Sequence, residues 1–187
     1  MACNLTKGRN ISCRIGIGGI KAIYIAQHDE LTSYTAASGE VTDFDLGGSD
    51  DLYKYLLKRG TGSVTETINA SSEAGSLFFT HSVNVKLHNL TKEDQNEIKL
   101  LGQQRMVIFA ELNQLNASGK NTIVALGLDN GMELSAGTST SGAALADGAN
   151  YDFTFESMEP NPMQLVADYT TVPFDNSAFT INAIVTS

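Results

Sequence analysis

Apolar and polar residues alternate along much of the chain, which is the pattern of β-strands buried on one face. In residues 77–87 an apolar stripe of Phe79, Val83, Val85 and Leu87 alternates with polar side chains. In residues 151–156 aromatic side chains alternate with polar ones. Similar segments predict strands at residues 20–26, 52–57, 63–68, 105–112, 122–127, 132–135 and 179–185. The chain is therefore predicted to be mainly β.

Residues 91–102 carry the one convincing helix signal. Thr91 is a suitable N-cap, and Asp94, three residues later, can reach back to the N–H of the cap. Asp94 also places negative charge in the first turn, where the helix dipole is positive. Gly102 suits the left-handed residue that often ends a helix. Ile98 and Leu101 form an apolar side, with Leu100 beside them, so the helix is expected to lie across one side of a sheet.

These elements predict a mainly β (α+β) fold, a β-sandwich or barrel with one flanking α-helix. A length of 187 residues fits one such domain spanning 1–187. Within it we expect an extended N-terminal arm at 1–19, a projecting hairpin and loop at 45–76 that is too polar for the core, and a C-terminal extension at 160–187.

Connections are predicted where small and polar residues cluster. Residues 69–75 and 113–121 are expected to be loops, and residues 137–150, built almost wholly of small residues, a mobile loop. The three prolines all follow the last strong strand, where they end strand pairing and stiffen an extended connection. Residues 179–185 are then expected to form a terminal strand that pairs within the subunit or adds to a neighbour's sheet.

Composition places the chain among globular proteins, since 42 % of its residues are hydrophobic and 18 % are charged. A formal net charge of −9, with no cluster of Lys and Arg, argues against tight binding of nucleic acid. No apolar run is long enough to span a bilayer, and no secretory signal precedes the first strand. A soluble protein made in a cytoplasm is expected.

Cysteine and histidine do not fall at the spacing of metal ligands. Cys3 and Cys13 are expected to be free thiols, because nothing indicates secretion. The histidines, at positions 28, 81 and 88, are scattered, so no metal site is predicted. His81 interrupts the apolar stripe of residues 77–87. We interpret it as a hydrogen-bonded histidine at the end of a core, because neither a nucleophile nor a second base accompanies it.

Other motifs that could carry chemistry are weak. The glycine-rich residues 16–19 precede a strand and are not followed by a helix, which is the reverse of a nucleotide-binding loop. Two pairs of aspartates lack the spaced oxygen ligands of a calcium loop and are interpreted as solvated. They are Asp43 with Asp45 and Asp50 with Asp51. Glu66, Glu111 and Glu156 leave a glycosidase open, since two carboxylates from distant positions can form such a site. No catalytic, cofactor-binding or metal-binding residue is predicted, and the protein is not expected to be an enzyme.

The order of elements resembles that of tail tube proteins of long-tailed bacteriophages over residues 50–166. The resemblance is carried by the strand Phe78-Phe79-Thr80-His81-Ser82-Val83-Asn84-Val85, the capped helix, a strand ending near Glu111, the hairpin of residues 126–134, a small-residue loop with Ser141, Gly142 and Asp147, and the closing residues 151–160.

That resemblance implies a virion structural protein of the phage tail, assembled in the cytoplasm of the host bacterium. Six copies would form a ring whose inner sheets join into one barrel, and stacked rings would form the tube for genome delivery. DNA would pass through the lumen without specific binding, which an acidic protein favours. Residues 45–76 would reach the adjacent ring and residues 160–187 would supply a second contact. The expected partners are other copies of the chain and also tail sheath, baseplate or hub, and terminator proteins, with no membrane and no cofactor.

Two other classes remain open. One is a different virion structural protein, a decoration or head–tail joining protein, which would show no six-fold stacking. The other is a glycan-binding or glycan-cleaving β module, which needs a concave site with convergent carboxylates and aromatic side chains.

Overall fold

Most segments predicted as strands are strands in the computed structural model, which describes Gly8 and residues 16–47, 50–73 and 75–186. Within these residues the protein is mainly β, with two sheets and one α-helix, as expected for a β-sandwich with a flanking helix. The elements are β1 Ile20–Gln27, β2 Ser33–Ala37, β3 Glu40–Asp45, β4 Leu52–Leu56, β5 Gly62–Ser71, β6 Ser76–His88, α1 Lys92–Leu101, β7 Met106–Leu115, β8 Asn121–Leu126, β9 Glu133–Thr140, β10 Asn150–Glu159, β11 Gln164–Val166, β12 Phe179–Thr180 and β13 Ile184–Val185.

The larger sheet has nine strands and curls into a barrel. Its strands run in the order β12-β3-β11-β8-β7-β1-β4-β13, and β2 pairs with β3. The two ends of this order, β12 and β13, are separated in the chain by only residues 181–183. Eight strands laid flat would span about 34 Å between the outer two, whereas four residue steps reach at most about 14 Å. The sheet must therefore curve round until its ends nearly meet.

Aromatic side chains fill the barrel interior. Phe44 stacks on Phe109 and on Phe179, with ring centroids 4.9 and 4.7 Å apart. Phe174 meets the rings of Tyr24, Phe44 and Phe109 edge-on. All five side chains are buried. Rings in these offset and edge-to-face arrangements stabilise the fold beyond their area burial.

The smaller sheet has the order β5-β6-β10-β9 and packs against the outside of the barrel. Val83, Val85, Phe153 and Phe155 face the barrel in the second core cluster, together with Ile108 and other residues of β1, β7 and β8. The strands β1 and β7 are therefore buried on both faces. In β7, Met106 and Ile108 lie in one cluster and Val107 and Phe109 in the other.

The helix begins where predicted and ends differently. Thr91 is the N-cap, and its hydroxyl accepts a hydrogen bond from the N–H of Asp94 at 3.1 Å. Gly102 has a right-handed backbone with φ −79°, so the prediction of a left-handed residue is wrong. Its N–H still donates to the carbonyl of Ile98, and the N–H of Gln103 donates to the carbonyl of Leu100. The helix therefore ends in a tighter turn with right-handed backbone at Gly102. Ile98 and Leu101 are half-buried against the second cluster, so the helix covers its margin.

Replacing Thr91 with alanine is expected to lower the free energy of unfolding by about 0.5–2 kcal/mol, because an N–H in the first turn loses its acceptor. Thr91→Ser retains the hydroxyl and is expected to stay close to wild type. Urea unfolding followed by circular dichroism measures both variants. Equal stabilities for the alanine and serine variants would contradict the capping role.

Several predicted loops are shorter than expected. β5 continues to Ser71 and β9 to Thr140, so the first residues of the loops predicted at 69–75 and 137–150 belong to strands and the prediction is wrong there. The polar residues there lie on exposed faces and edge strands, where pairing with β6 and β10 fixes the backbone without an apolar pattern. The loop 113–121 is likewise shortened by the extension of β7 to Leu115.

The C-terminal residues pair within their own chain. Instead of one strand over 179–185, β12 pairs in parallel with β3, and β13 pairs in parallel with β4. The segment turns between them because it must pass from one end of the curled sheet to the other. Within the C-terminal extension predicted at 160–187, Phe174 and Phe179 enter the barrel core.

The other predicted arms are distributed differently. In segment 45–76, Leu46 and Leu52 are fully buried, so the prediction that it is too polar for the core is wrong there. β4 pairs with β1, and β5 with β6. β10 pairs with β6 as far as Phe79. Among the described residues, the β5–β6 hairpin therefore extends beyond β10 only at its tip. Of the arm at 1–19, Gly8 and residues 16–19 are described. The division into arms stays a prediction.

Candidate functional site

The solvent face of the four-stranded sheet is built mainly from polar side chains, with Phe78 and Met158 as exposed apolar residues near the turn of the β5–β6 hairpin. In β6 and β10 the residues that alternate with the buried ones must point to the opposite face. Register extends this face to β5, where Thr65 and Thr67 lie opposite Ser82 and Thr80. The polar residues on this face include Ser63, Thr65, Thr67, Thr80, Ser82, Asn84, Lys86, Glu133, Thr138, Asp152, Thr154 and Glu156. Hydroxyl and amide groups therefore dominate the surface.

The charges on this face leave an excess of carboxylates. Lys86 Nζ lies 3.3 Å from Asp152 Oδ2, and the amide of Asn84 donates to Asp152 Oδ1 at 2.8 Å. Glu156 is paired in register with Glu133 of β9, so two carboxylates stand directly opposite each other. Like charges at such positions destabilise a sheet. Since Lys86 compensates Asp152, the face has a net negative charge that would repel phosphate.

Both edges of this sheet are open. Among the described residues β5 pairs only with β6, and β9 pairs only with β10. β5 is 10 residues long and β9 is 8. Long edge strands expose rows of unpaired N–H and C=O groups that can pair with another chain. The sheet thus offers two different edges for the addition of strands.

His81 lies on the buried face of the same sheet, and its side chain is 3 % exposed. Its Nε2 is 3.3 Å from Glu66 Oε2, but neither ring nitrogen makes a well-aligned hydrogen bond within the part of the chain that the structure describes. Burial of His81 is confirmed, whereas the predicted hydrogen bond is not formed. Burial lowers the pKa of His81 because the charged ring is poorly solvated, and the nearby carboxylate of Glu66 opposes this shift.

His81 is expected to make stability depend on pH. Because its pKa is lowered in the folded protein, its stabilising effect is full above about pH 6.5 and is lost as the pH falls. Burial raises the pKa of Glu159, which acts in the opposite direction on acidification. Wild type and a His81→Asn variant both contain Glu159. The difference between their pH dependences of stability therefore reports on His81.

Urea unfolding at pH 7.5 and 5.5 makes this comparison. Wild type is expected to lose more stability on acidification than His81→Asn, by at most about 1.4 kcal/mol per pH unit. The control is His88→Asn, a substitution of a half-buried histidine on the opposite face of the same strand. Equal losses for wild type and His81→Asn would show that His81 does not carry the effect.

The carboxylates considered for a glycosidase are held by separate partners. Glu111 is buried and accepts hydrogen bonds from Lys21 Nζ at 2.6 Å and from the hydroxyl of Tyr24 at 2.9 Å. Glu66 lies beside His81 and accepts from the N–H of Met163. Glu156 is exposed on the other face of the smaller sheet. The three form no common set of contacts, so no observation favours glycoside cleavage.

The remaining candidate motifs have structural roles. Residues 16–19 precede β1, and the carbonyl of Gly18 accepts from the amide of Asn113. Asp45 caps the N–H of Gly47, and Asp51 accepts from the amide of Asn182. Asp43 is exposed. In the part of the chain that the structure describes, no group of three or more Cys, His, Asp or Glu side chains is arranged to hold a metal ion. Cys3 and Cys13 lie outside the described residues.

Sequence reasoning missed a second buried carboxylate. Glu159 is 2 % exposed at the end of β10, where it accepts hydrogen bonds from the backbone N–H groups of Asp129 and Asn130. The signal in the sequence is its odd-numbered position along the strand, which places its side chain on the same face as Tyr151, Phe153 and Phe155. The predicted strand of residues 151–156 stops short of Glu159, so the prediction does not include this inward carboxylate.

Comparison of the chain with protein-family models, with curated proteins and with solved structures finds no match. Among the described residues, no helix is both long and apolar enough to cross a membrane.

Proposed function

We propose that the protein is a structural subunit of a phage tail tube. In this proposal, six copies close into a ring, and rings stack into a conduit for DNA. The supporting observation is the four-stranded sheet, whose two long edge strands have no further partner among the described residues; one face packs on the barrel and the other is polar and acidic. An element of this kind is suited to joining copies of itself edge to edge.

The edges support a head-to-tail arrangement. β5 and β9 are different strands, so pairing of β5 in one copy with β9 in the next is a heterologous contact. Such contacts close into a ring when the rotation between copies permits. Closure also removes the open edges, which would otherwise promote irregular aggregation. A single type of contact would therefore both build the ring and protect the sheet.

The dimensions of the sheet support a lumen wide enough for duplex DNA. Four strands spaced by about 4.8 Å span about 19 Å. Six such sheets would enclose a backbone circle about 37 Å in diameter, and tilting the strands by about 40° would widen it further. Most side chains on the polar face are Ser, Thr and Asn, which are short and would narrow this opening only modestly.

The charge of the polar face supports passage of DNA without binding. A surface that binds DNA gathers Lys and Arg against the phosphates. Here the charged side chains are Lys86, Asp152, Glu133 and Glu156, which leave a net negative charge. The absence of a catalytic role is part of the proposal, as are localisation to the tail of the virion and contacts with sheath, baseplate or hub, and terminator proteins.

Cysteine cross-linking tests the proposed ring. Thr67→Cys on β5 and Thr138→Cys on β9 are combined in a chain whose Cys3 and Cys13 are changed to serine, with Thr65→Cys as a second choice for β5. Oxidation is expected to give a covalent ladder on non-reducing gels that ends at six copies. A chain with Thr67→Cys alone serves as the control and should give no product larger than a dimer.

Other ladders would reject part or all of the proposal. A ladder that ends at another number would reject the six-fold ring, and the absence of cross-links from both β5 positions would reject edge pairing. Discrete low-order products without ring closure would favour a decoration or head–tail joining protein.

A further inference from the structure

A cavity of about 360 Å³ opens beside the end of β10, away from the polar face of the four-stranded sheet. The β2–β3 hairpin forms one wall, with Tyr34 and Ser38, and Gln164 of β11 forms another. His81, Asp129 and Glu159 also line it. Its volume is at the lower end of the range for small-ligand sites.

Carboxylates dominate the charge of this cavity. Glu159 accepts from two backbone N–H groups, and Asp129 accepts from the hydroxyl of Tyr34 and from the amide of Asn161. Glu66 does not line the cavity, but its carboxylate lies 3.3 Å from Nε2 of His81. No Lys or Arg is among the described residues that line the cavity. Neutral donors hold these carboxylates, but no cation balances their charge.

His81 supplies an unused polar group in the wall of the cavity. It is almost fully buried, and neither ring nitrogen has a well-aligned hydrogen-bond partner among the described residues. Burial lowers its pKa, which favours the neutral ring at neutral pH. A neutral imidazole has one nitrogen that accepts a hydrogen bond. Buried polar groups without partners are costly, so a ligand with N–H donors would be stabilised here.

We propose that this cavity binds a cationic amine or guanidinium group. Such a group balances the carboxylates of Asp129 and Glu159 and donates a hydrogen bond to His81. The same chemistry is available from a free polyamine and from a Lys or Arg side chain of a second copy of the chain. A metal ion is a poorer fit, because no group of three or more ligating side chains is assembled among the described residues.

Isothermal titration calorimetry with spermidine and with methylguanidinium tests the site. Tetramethylammonium, a cation without N–H donors, is the ligand control. Spermidine is expected to bind with one-to-one stoichiometry and to shift the imidazole NMR resonances of His81. Asp129→Asn, which removes one cavity charge, is expected to weaken binding at least tenfold. Glu97→Gln, which removes one charge from the exposed face of α1, is expected to leave binding unchanged.

A second variant keeps the test independent of the folding of Asp129→Asn. Gln164→Lys places an ammonium group at the cavity wall and is expected to abolish spermidine binding. Gln103→Lys, an exposed substitution beyond the helix, is the matched control. Two outcomes would overturn the site, because each would indicate general attraction of cations to an acidic protein. One is that tetramethylammonium binds as tightly as spermidine, and the other is that Glu97→Gln weakens spermidine binding as much as Asp129→Asn does. If neither spermidine nor methylguanidinium binds at about 10 mM, ten times a dissociation constant of 1 mM, the proposed site is also overturned.

Assembly distinguishes the two sources of the cation. If spermidine binds dissociated subunits and inhibits their association, the natural occupant is a side chain of a second copy. If it binds dissociated and assembled protein alike, the occupant is a free amine. Both outcomes support the cationic site, and neither depends on whether the assembly is a six-fold ring.

Discussion

Replacing Phe174 with alanine is expected to lower the free energy of unfolding by about 3–5 kcal/mol, the usual cost of removing a buried phenylalanine. Its ring lies 5.0–5.8 Å from those of Tyr24, Phe44 and Phe109, and its side chain is 4 % exposed. Its backbone has φ +65°, an unfavourable conformation for a residue other than glycine. Alanine retains the β-carbon, so the substitution removes the ring without relieving that strain.

Val172→Ala is the matched control for Phe174→Ala. Val172 is two residues away in the same segment but is 55 % exposed, so its truncation is expected to change stability by less than about 0.5 kcal/mol. Urea unfolding at pH 7.5 compares the two variants. If Phe174→Ala were as stable as Val172→Ala, the C-terminal segment would not be part of the barrel core.

A proline in β9 is expected to abolish assembly while leaving the subunit folded. Along an antiparallel edge strand, successive N–H groups point alternately toward the partner strand and away from it. Thr138 and Ser139 lie in a regular stretch paired with Asp152 and Tyr151. Proline at whichever of these positions points its N–H outward removes a donor from the open edge without breaking a hydrogen bond to β10.

The paired substitutions Thr138→Pro and Ser139→Pro make this test self-controlled. The variant with proline at the outward-pointing N–H is expected to form no oligomers in sedimentation velocity, with little change in its free energy of unfolding. The variant with proline at the inward-pointing N–H is expected to be less stable, because a hydrogen bond between β9 and β10 is lost. If both variants fold and assemble as wild type does, β9 is not a joining edge.

The sequence was sufficient to predict the strands with a clear apolar side. The alternation in residues 77–87 and 151–156 placed Val83, Phe153 and Phe155 correctly in the core. The capped helix was also recognisable, because Thr91 and the acidic first turn act locally. These features depend on near neighbours in the chain and are therefore visible without tertiary structure.

Polar strands and long-range closure were not predictable in the same way. β9 continues through small residues to Thr140 because β10 pairs with it, not because its own side chains are buried. The alternation of residues 179–185 predicted one strand, whereas β12 and β13 are two short strands that pair with different strands of the curled sheet. The cavity was equally hidden, since its walls combine Tyr34, His81 and Glu159 from distant parts of the chain.

Electron microscopy of the purified protein at increasing concentration is the most direct measurement of the proposed tail-tube role. Hollow six-fold rings or tubes are expected, with β5, β6, β10 and β9 of each copy forming a continuous inner wall and the polar face directed into the lumen. Particles that remain monomeric at high concentration, or rings whose lumen is lined by another surface, would contradict the proposal.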